Sequence, residues 1–303
     1  MIRKIAIGVG AGLVLLFLIG WLVVLPSIMV HAVRIAPEAT PKAFGAVYSD
    51  VHFPTRGGGI ALSGWWMEAR EPKGVVIYVH GGNGNRRGLY AGGLELQVFL
   101  QRQGYDVLAF DQRNHGLSGA SPDGQITLGV EESRDALGAV DYAARRAPGL
   151  PIVLLADSMG GATSIFAAHD EPRIAKLMLI DPVLDRPTVE RGALYADLGL
   201  PRLLIPAIAW SANTVFAHAL TARDALQEGE NLKQPILLIV DDHDPVCLPR
   251  FAYRLAKADP GVTLWISHDP DRPTGRWGYH TGAYHLHGKD VEAQLLRFLA
   301  QGA

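Results

Sequence analysis

From Ala46 onward the chain alternates short runs of β-branched and leucine-rich residues with longer stretches of helical composition. Eight runs have strand character: 46–53, 60–68, 75–80, 105–111, 152–156, 177–180, 236–240 and 263–266. Only the first two are joined by a short glycine-rich connection, Thr-Arg-Gly-Gly-Gly at 55–59, which suits a hairpin. The later runs are separated by helical stretches such as 89–102 and 129–146. Parallel strands need crossovers of that length, and such crossovers are right-handed. The pattern therefore predicts one α/β domain over 46–303, a hairpin leading into an eight-stranded, mostly parallel sheet flanked by helices. In sheets of this kind, chemistry collects just beyond the carboxyl ends of the strands.

The sharpest strand end is Ile152-Val-Leu-Leu-Ala-Asp-Ser158-Met-Gly-Gly161. An apolar run stops at a serine among small residues and passes into an alanine-rich helical stretch, 160–169. This is the order of a nucleophile elbow, G-x-S-x-G in its usual spelling, here with Ala156 in the first position. A serine hydroxyl is a weak nucleophile, so it needs a base and a tight turn that exposes its oxygen beside free N–H groups. Strand 75–79 ends in His80-Gly-Gly82-Asn-Gly-Asn85, a loop whose glycines permit close backbone approach. The Gly82 and Met159 N–H groups are the expected oxyanion donors, and His80 reads as a loop-orienting residue. The segment Asp111-Gln-Arg-Asn-His-Gly-Leu-Ser-Gly119 reads as turn chemistry with an ion pair inside the loop.

In this order and spacing, H-G-G-N-G-N, D-x-R-N-H-G-x-S-G and A-D-S-M-G-G resemble the α/β-hydrolase fold family over residues 46–303. More narrowly they resemble its membrane-anchored, short-lidded serine hydrolases, of serine aminopeptidase-like and monoacylglycerol lipase-like type. The resemblance implies a triad in chain order Ser, Asp, His, with no cofactor and no metal. Strand 236–240 runs into Asp241-Asp-His-Asp244-Pro-Val-Cys, and the family's acid precedes a Pro-Val-like pair, which selects Asp244. Asp241 and Asp242 read as turn residues. For the base, the tail offers His268, His280, His285 and His287, expected between the last strand and a closing helix at 290–299. The spacing Trp277-Gly-Tyr-His280-Thr-Gly-Ala-Tyr284 followed by Phe298-Leu299 matches the family pattern and selects His280, with His285 as the alternative. The stretch 267–276, rich in Asp, Pro and Arg, is longer than the compact pattern. A metal site built from these histidines with Asp269 and Asp271 is disfavoured, because His285-Leu-His287 lacks the helical H-x-x-x-H spacing.

Residues 5–25 are continuously apolar or glycine, and no charged side chain lies between Lys4 and Arg34 if His31 is neutral. Twenty-one such residues can cross a bilayer core, and the run is longer than a secretory leader requires. Residues 1–33 are therefore expected to be an uncleaved anchor and 34–45 a linker. The Arg3 and Lys4 pair near the amino terminus leans toward a cytoplasmic N-terminus and a catalytic domain on the other side. A net charge of −2 without a basic block argues against nucleic acid as a partner, and the single Cys247 excludes an intrachain disulfide. Residues 183–232 interrupt the strand alternation, and the apolar stretch 198–210 reads as a short helical lid. The expected activity is hydrolysis of an acyl bond, ester or thioester, on a small substrate, with the membrane setting suggesting a lipid-derived one. The alternatives are a peptidase of the same fold or a membrane-tethered binding domain without turnover.

Overall fold

A computed structural model describes residues 2–216, 222–268 and 275–301. Residues 217–221 of the expected lid, and 269–274 with Asp269 and Asp271, lie outside the described residues. The chain opens with an apolar helix, α1 (Ile2–Ile19), continued through a π-helical turn at Gly20–Val24 into α2 (Leu25–Val30). All eight expected strands form: β1 (Ser49–Pro54), β2 (Ala61–Met67), β3 (Val75–Val79), β4 (Asp106–Phe110), β5 (Ile152–Asp157), β6 (Ile174–Ile180), β7 (Ile236–Asp241) and β8 (Val262–Ser267). They make one sheet in the order β1-β2-β4-β3-β5-β6-β7-β8. The pairs β1/β2 and β2/β4 are antiparallel, and every later pair is parallel.

Side chains on the central strands alternate between two cores, as the two-residue period of a strand requires. Val75, Ile77 and Val79 of β3, with Ile152, Leu154 and Ala156 of β5, face α4 (Ser133–Arg146), α5 (Met159–Asp170), α8 (Ala225–Gly229) and α9 (Pro249–Ala258). Val76 and Tyr78, with Val153 and Leu155, face α3 (Gly93–Arg102) and α10 (Ala283–Ala300). Both faces of β3 and β5 are thus dry, which explains why these strands read as continuous apolar runs rather than alternating ones.

Several boundaries differ from the sequence expectation, among them β6, which starts at Ile174 rather than 177. Strand β1 starts at Ser49 rather than 46, because a 3₁₀ turn at Pro41–Phe44 and Gly45 at φ 77° still direct the chain there. The closing helix starts at Ala283 rather than 290. A break at His287 (φ −133°, ψ 39°), just before Gly288, makes the first turn look like loop in the sequence.

Between β6 and β7 the chain forms α6 (Arg186–Leu198), α7 (Ile205–Ser211), a π turn at Ala212–Phe216 and α8. The carboxyl end of the N-terminal helix packs on this segment: Trp21, Leu25 and Met29 meet Leu194, Ile205 and Ile208. The Ser211 hydroxyl donates to the Leu22 carbonyl, and the Ile126 N–H donates to the Val30 carbonyl at 2.7 Å. Leu154 is fully buried at the centre of the sheet, away from solvent and from every site residue named above. Leu154→Ala should cost about 2–5 kcal/mol of stability through the cavity it leaves, read as a lower urea midpoint at unchanged m-value.

Candidate active site

Strand β5 delivers Ser158 to the top of the sheet with φ 49° and ψ −118°, a backbone conformation that costs a non-glycine residue about 1–3 kcal/mol. The turn is possible because its neighbours are small. A Cβ on Gly160 would stand 2.1 Å from the Val79 carbonyl oxygen, and one on Gly161 would stand 2.4 Å from Pro182 Cβ. The Ser158 N–H donates to the Ile180 carbonyl at 3.0 Å, and its own carbonyl accepts from Gly161 and Val183 at 2.9 and 3.0 Å. Those bonds tie the strained residue to β6 and to the first turn of α5.

The turn after β7 carries Asp244, whose carboxylate is buried. Its Oδ1 accepts from the Val246 and Cys247 N–H groups at 2.7 and 2.9 Å, which leaves Oδ2 for His280 Nδ1 at 2.7 Å. His280 Nε2 then lies 2.9 Å from Ser158 Oγ. Since a carboxylate only accepts, Nδ1 carries the proton and Nε2 accepts from the serine hydroxyl. Burial alone would lower the imidazole pKa, but the Asp244 charge overrides it and holds His280 well above the usual histidine value. The structure thus brings together the three expected residues Ser158, Asp244 and His280. His285 sits elsewhere, on α10, with Nε2 donating to the Leu89 carbonyl at 3.1 Å.

Facing the elbow is the loop after β3. A Cβ on Gly82 would lie 3.7 and 3.9 Å from Met159 Sδ and Cβ, so the two residues expected to supply the oxyanion donors are neighbours across the gap between the loop and α5. Met159 opens α5, and a first-turn N–H has no helical acceptor. His80 orients this loop as expected: Nδ1 bonds the Gly81 carbonyl at 2.7 Å, and Nε2 accepts from the Gln112 N–H at 3.0 Å. Burial pushes its pKa down to about 3, so it stays neutral and keeps that acceptor.

The expected ion pair inside the loop 111–119 does not form. Asp111 instead faces Arg86 of the preceding loop at 3.8 Å and accepts from the Arg86 and Leu117 N–H groups. Arg113 pairs with Asp135 of α4 at 2.9 Å. Both partners are distant in sequence, so a reading of local turn chemistry misses them. Two further buried acids were also missed. Asp181, directly after β6, accepts from the Asp241 N–H at 2.9 Å and from the Thr281 N–H at 2.8 Å, bracing the residue after His280. Burial first, and then the Asp244 charge, raise its pKa well above the carboxylate range. Asp157 accepts from the Tyr78 hydroxyl at 2.5 Å and the Gly81 N–H at 3.0 Å, and burial pushes it up to about 6. The available signal was position: each acid stands at a strand end beside the site.

By proximity alone, Asp244, Cys247 and His280 could hold a metal ion, as could Asp241, Asp242 and His243. The first set is the hydrogen-bonded Asp–His pair plus a buried thiol that burial raises to about 12, and a protonated thiol is a poor ligand. His268 is bound to Asp242 at 2.7 Å, and His287 lies edge-on to Trp265.

Residues 70–208 match the family described as serine aminopeptidase, S33. The chain is 31% identical to the monoglyceride lipase of Rattus norvegicus over 292 residues, covering 84% of this chain and 89% of that protein. Among solved structures it superposes on an esterase of Pyrococcus furiosus with a TM-score of 0.73 at 24% identity, covering 89% of this chain and 97% of that one. Est1E of Butyrivibrio proteoclasticus, solved with ferulic acid, gives a TM-score of 0.59 at 17% identity, with 83% and 100% covered. Fold and site together define a serine hydrolase of the esterase and lipase type. The chain belongs to the α/β-hydrolase superfamily, among its monoglyceride-lipase-like members.

Burial raises Asp157 from 3.8 to about 6, so between those values the folded protein holds a proton that the unfolded chain releases. Stability from this group is therefore present at the acid end and lost as pH rises through that window. An amide can keep both hydrogen bonds without the charge. Asp157→Asn should therefore gain melting temperature relative to wild type between about pH 4 and pH 7, measured by thermal melts across that range.

Proposed function

We propose that Ser158 is the nucleophile, His280 the general base and Asp244 the residue that fixes the imidazole tautomer and stabilises the imidazolium. The observation that carries this reading is the unbroken bond series from Asp244 Oδ2 to His280 at 2.7 Å and from His280 to Ser158 Oγ at 2.9 Å, with the serine on its strained turn. His280 takes the hydroxyl proton as Ser158 Oγ attacks an acyl carbonyl carbon. The developing oxyanion is met by the Gly82 and Met159 N–H groups. His280 then returns the proton to the leaving oxygen, and water releases the acyl group by the same route in reverse. No step needs a cofactor.

The substrate class we favour is an ester of an apolar acyl chain presented at a membrane. Among the described residues one helix, Lys4–Val30, is long and apolar enough to cross a bilayer. We assign residues 1–33 as an anchor, 34–45 as a linker, 46–303 as the hydrolase domain and about 183–232 as its lid. Only about 17 residues separate Lys4 from Trp21, where packing on the lid begins, and these span roughly 25 Å against about 30 Å for a hydrocarbon core. An anchor that crosses fully therefore draws α7 down to the headgroup level. The lid has the surface for that place: Leu203, Trp210 and Val215 are 88%, 62% and 56% exposed. Monoglyceride lipase, as the name of the rat relative states, acts on lipid esters, which agrees with this setting. The charge balance favours the hydrolase domain on the non-cytoplasmic side.

Wild type should label with a fluorophosphonate and Ser158→Ala should not, with roughly 10⁴–10⁶-fold lower turnover of p-nitrophenyl butyrate. Retention of a tenth of wild-type turnover would contradict the assignment. A paired Leu203→Glu, Trp210→Glu variant should hydrolyse a vesicle-embedded monoacylglycerol several-fold more slowly than wild type, at unchanged turnover of the soluble ester. An amino-acid p-nitroanilide in the same series tests the peptidase alternative, which predicts turnover of that amide above the esters.

A further inference from the structure

Asp157 does no chemistry in the mechanism above, yet it is an acid buried against the oxyanion loop. Its place follows from strand alternation. In β5, Val153 and Leu155 point toward α3 and α10, and Asp157 is next in that series. Tyr78 of the neighbouring β3 points to the same side, one register step before the residues that leave the strand. The Tyr78 hydroxyl has little room to swing, because a Cβ on Gly88 would come within 1.9 Å of its oxygen and one on Gly93 within 2.5 Å. That fixed hydroxyl donates to Asp157 Oδ1 at 2.5 Å, which aims Oδ2 at the Gly81 N–H, 3.0 Å away. A Cβ on Gly81 would lie 2.7 Å from Asp157 Oδ2 and 3.1 Å from Ser158 Cβ, so the loop rests directly on both residues.

We propose that Asp157 is a positioning residue for catalysis: held by Tyr78, its carboxyl group clamps Gly81 and so sets the adjoining Gly82 N–H toward the oxyanion formed at Ser158. This rests on the assignment of Gly82 as an oxyanion donor. A clamp on a donor that matters chiefly in the transition state should govern kcat while leaving KM nearly alone. The charged groups that bear on the clamp are few. The Tyr78 hydroxyl faces the carboxyl from β3, His280 from the loop before α10, and Glu95 of α3 acts on Tyr78. As a carboxylate, Asp157 accepts both bonds; protonated on Oδ1, it donates to Tyr78 and keeps only one acceptor for Gly81. Its carboxylate pKa is pushed up to about 6 by burial, so the stronger clamp is present above that pH and weakens below it.

The test uses the full chain in detergent with p-nitrophenyl butyrate and with an aryl trifluoromethyl ketone, which forms an oxyanion on an active serine. Asp157→Ala should lose about 10- to 100-fold in kcat, less than or equal to loss of a whole oxyanion donor, with KM within about threefold. Ketone affinity should fall in step with kcat/KM. Asp157→Asn should recover kcat to within about threefold at pH 8, because its amide can donate to Tyr78 and accept from Gly81. Below about pH 6 its log kcat/KM should fall less steeply than that of wild type, leaving only the His280 limb. Should the alanine variant fail to fold, Tyr78→Phe removes the hydroxyl alone and should lower kcat about 3- to 10-fold at constant KM. The proposal is overturned by kcat within twofold of wild type in both Asp157→Ala and Tyr78→Phe. It is equally overturned by a rise in KM at constant kcat, or by wild-type pH slope in Asp157→Asn. Fluorophosphonate labelling of wild type separates the readings: labelling with those outcomes sinks only the clamp, and no labelling sinks the hydrolase assignment beneath it.

Discussion

The contact on which the site depends is the approach of α5 to the end of β3, so close that the Gly160 Cα hydrogen takes the place of a side chain beside the Val79 carbonyl. Any residue larger than glycine there would drive helix and strand apart. The approach goes with the positive φ of Ser158, brings Met159 against the loop after β3, and leaves the serine at the strand end rather than inside the sheet. The turn's strain, about 1–3 kcal/mol, is small beside the burial of Leu154, Leu155 and Ile165 around it, each worth about 1.5–3 kcal/mol. The sheet therefore overdetermines the turn, and the serine cannot relax without dismantling the core.

Around this turn, charge is arranged by burial more than by pairing. Asp244, Asp181 and Asp157 are all nearly or fully buried, and each sits on a different strand end. Asp244 has two backbone donors on one oxygen and the imidazole on the other, so it is the acid whose ionised form is best satisfied. Burial raises both Asp181 and Asp157, but unequally: Asp181 is pushed well above the carboxylate range and holds its proton, whereas Asp157, pushed up to about 6, is ionised above that pH. Burial works against a charged His280, and the Asp244 carboxylate on Nδ1 is the largest of the contributions that raise it. Asp181 and Asp244 would repel one another if both were ionised, and neighbouring carboxylates resist that state.

The parts legible in the sequence were those with short-range physical causes. Strands β3 and β5 could be read because both faces are buried and the runs are short. The elbow was legible because only small residues fit where strand meets helix, and Ala156 fits as well as glycine because it is packed inside the sheet. His280 required spacing borrowed from related chains, since nothing local separates it from His285. The rest depended on contacts across the fold. Arg113 finds Asp135 on α4, Asp111 finds Arg86, and Asp181 reaches Thr281 across 100 residues. Turn-forming composition at these positions says that the chain bends but not what the side chain meets. The early start of α10 was hidden for a related reason: His287 and Gly288 break the helix after its first turn, so the apolar periodicity becomes continuous only later.

The packing of α2 on α7 joins two features that a sequence treats separately. An independent tether would leave the hydrolase free to tumble at the end of residues 34–45. Here Trp21, Leu25 and Met29 are held in the same apolar cluster as Leu194, Ile205 and Ile208, so the N-terminal helix shares a face with α6 and α7. If α7 is the lid and the N-terminal helix the anchor, as proposed, moving α7 would expose that cluster on the anchor's side. On the reading proposed above, the exposed side chains Leu203 and Trp210 then meet acyl chains rather than water, and the cost of opening falls because apolar surface is not transferred to solvent. The same displacement in water would uncover Ile205 and Ile208 with no compensating partner. On that same proposal, a lid attached in this way would favour opening at the bilayer, where apolar esters are concentrated.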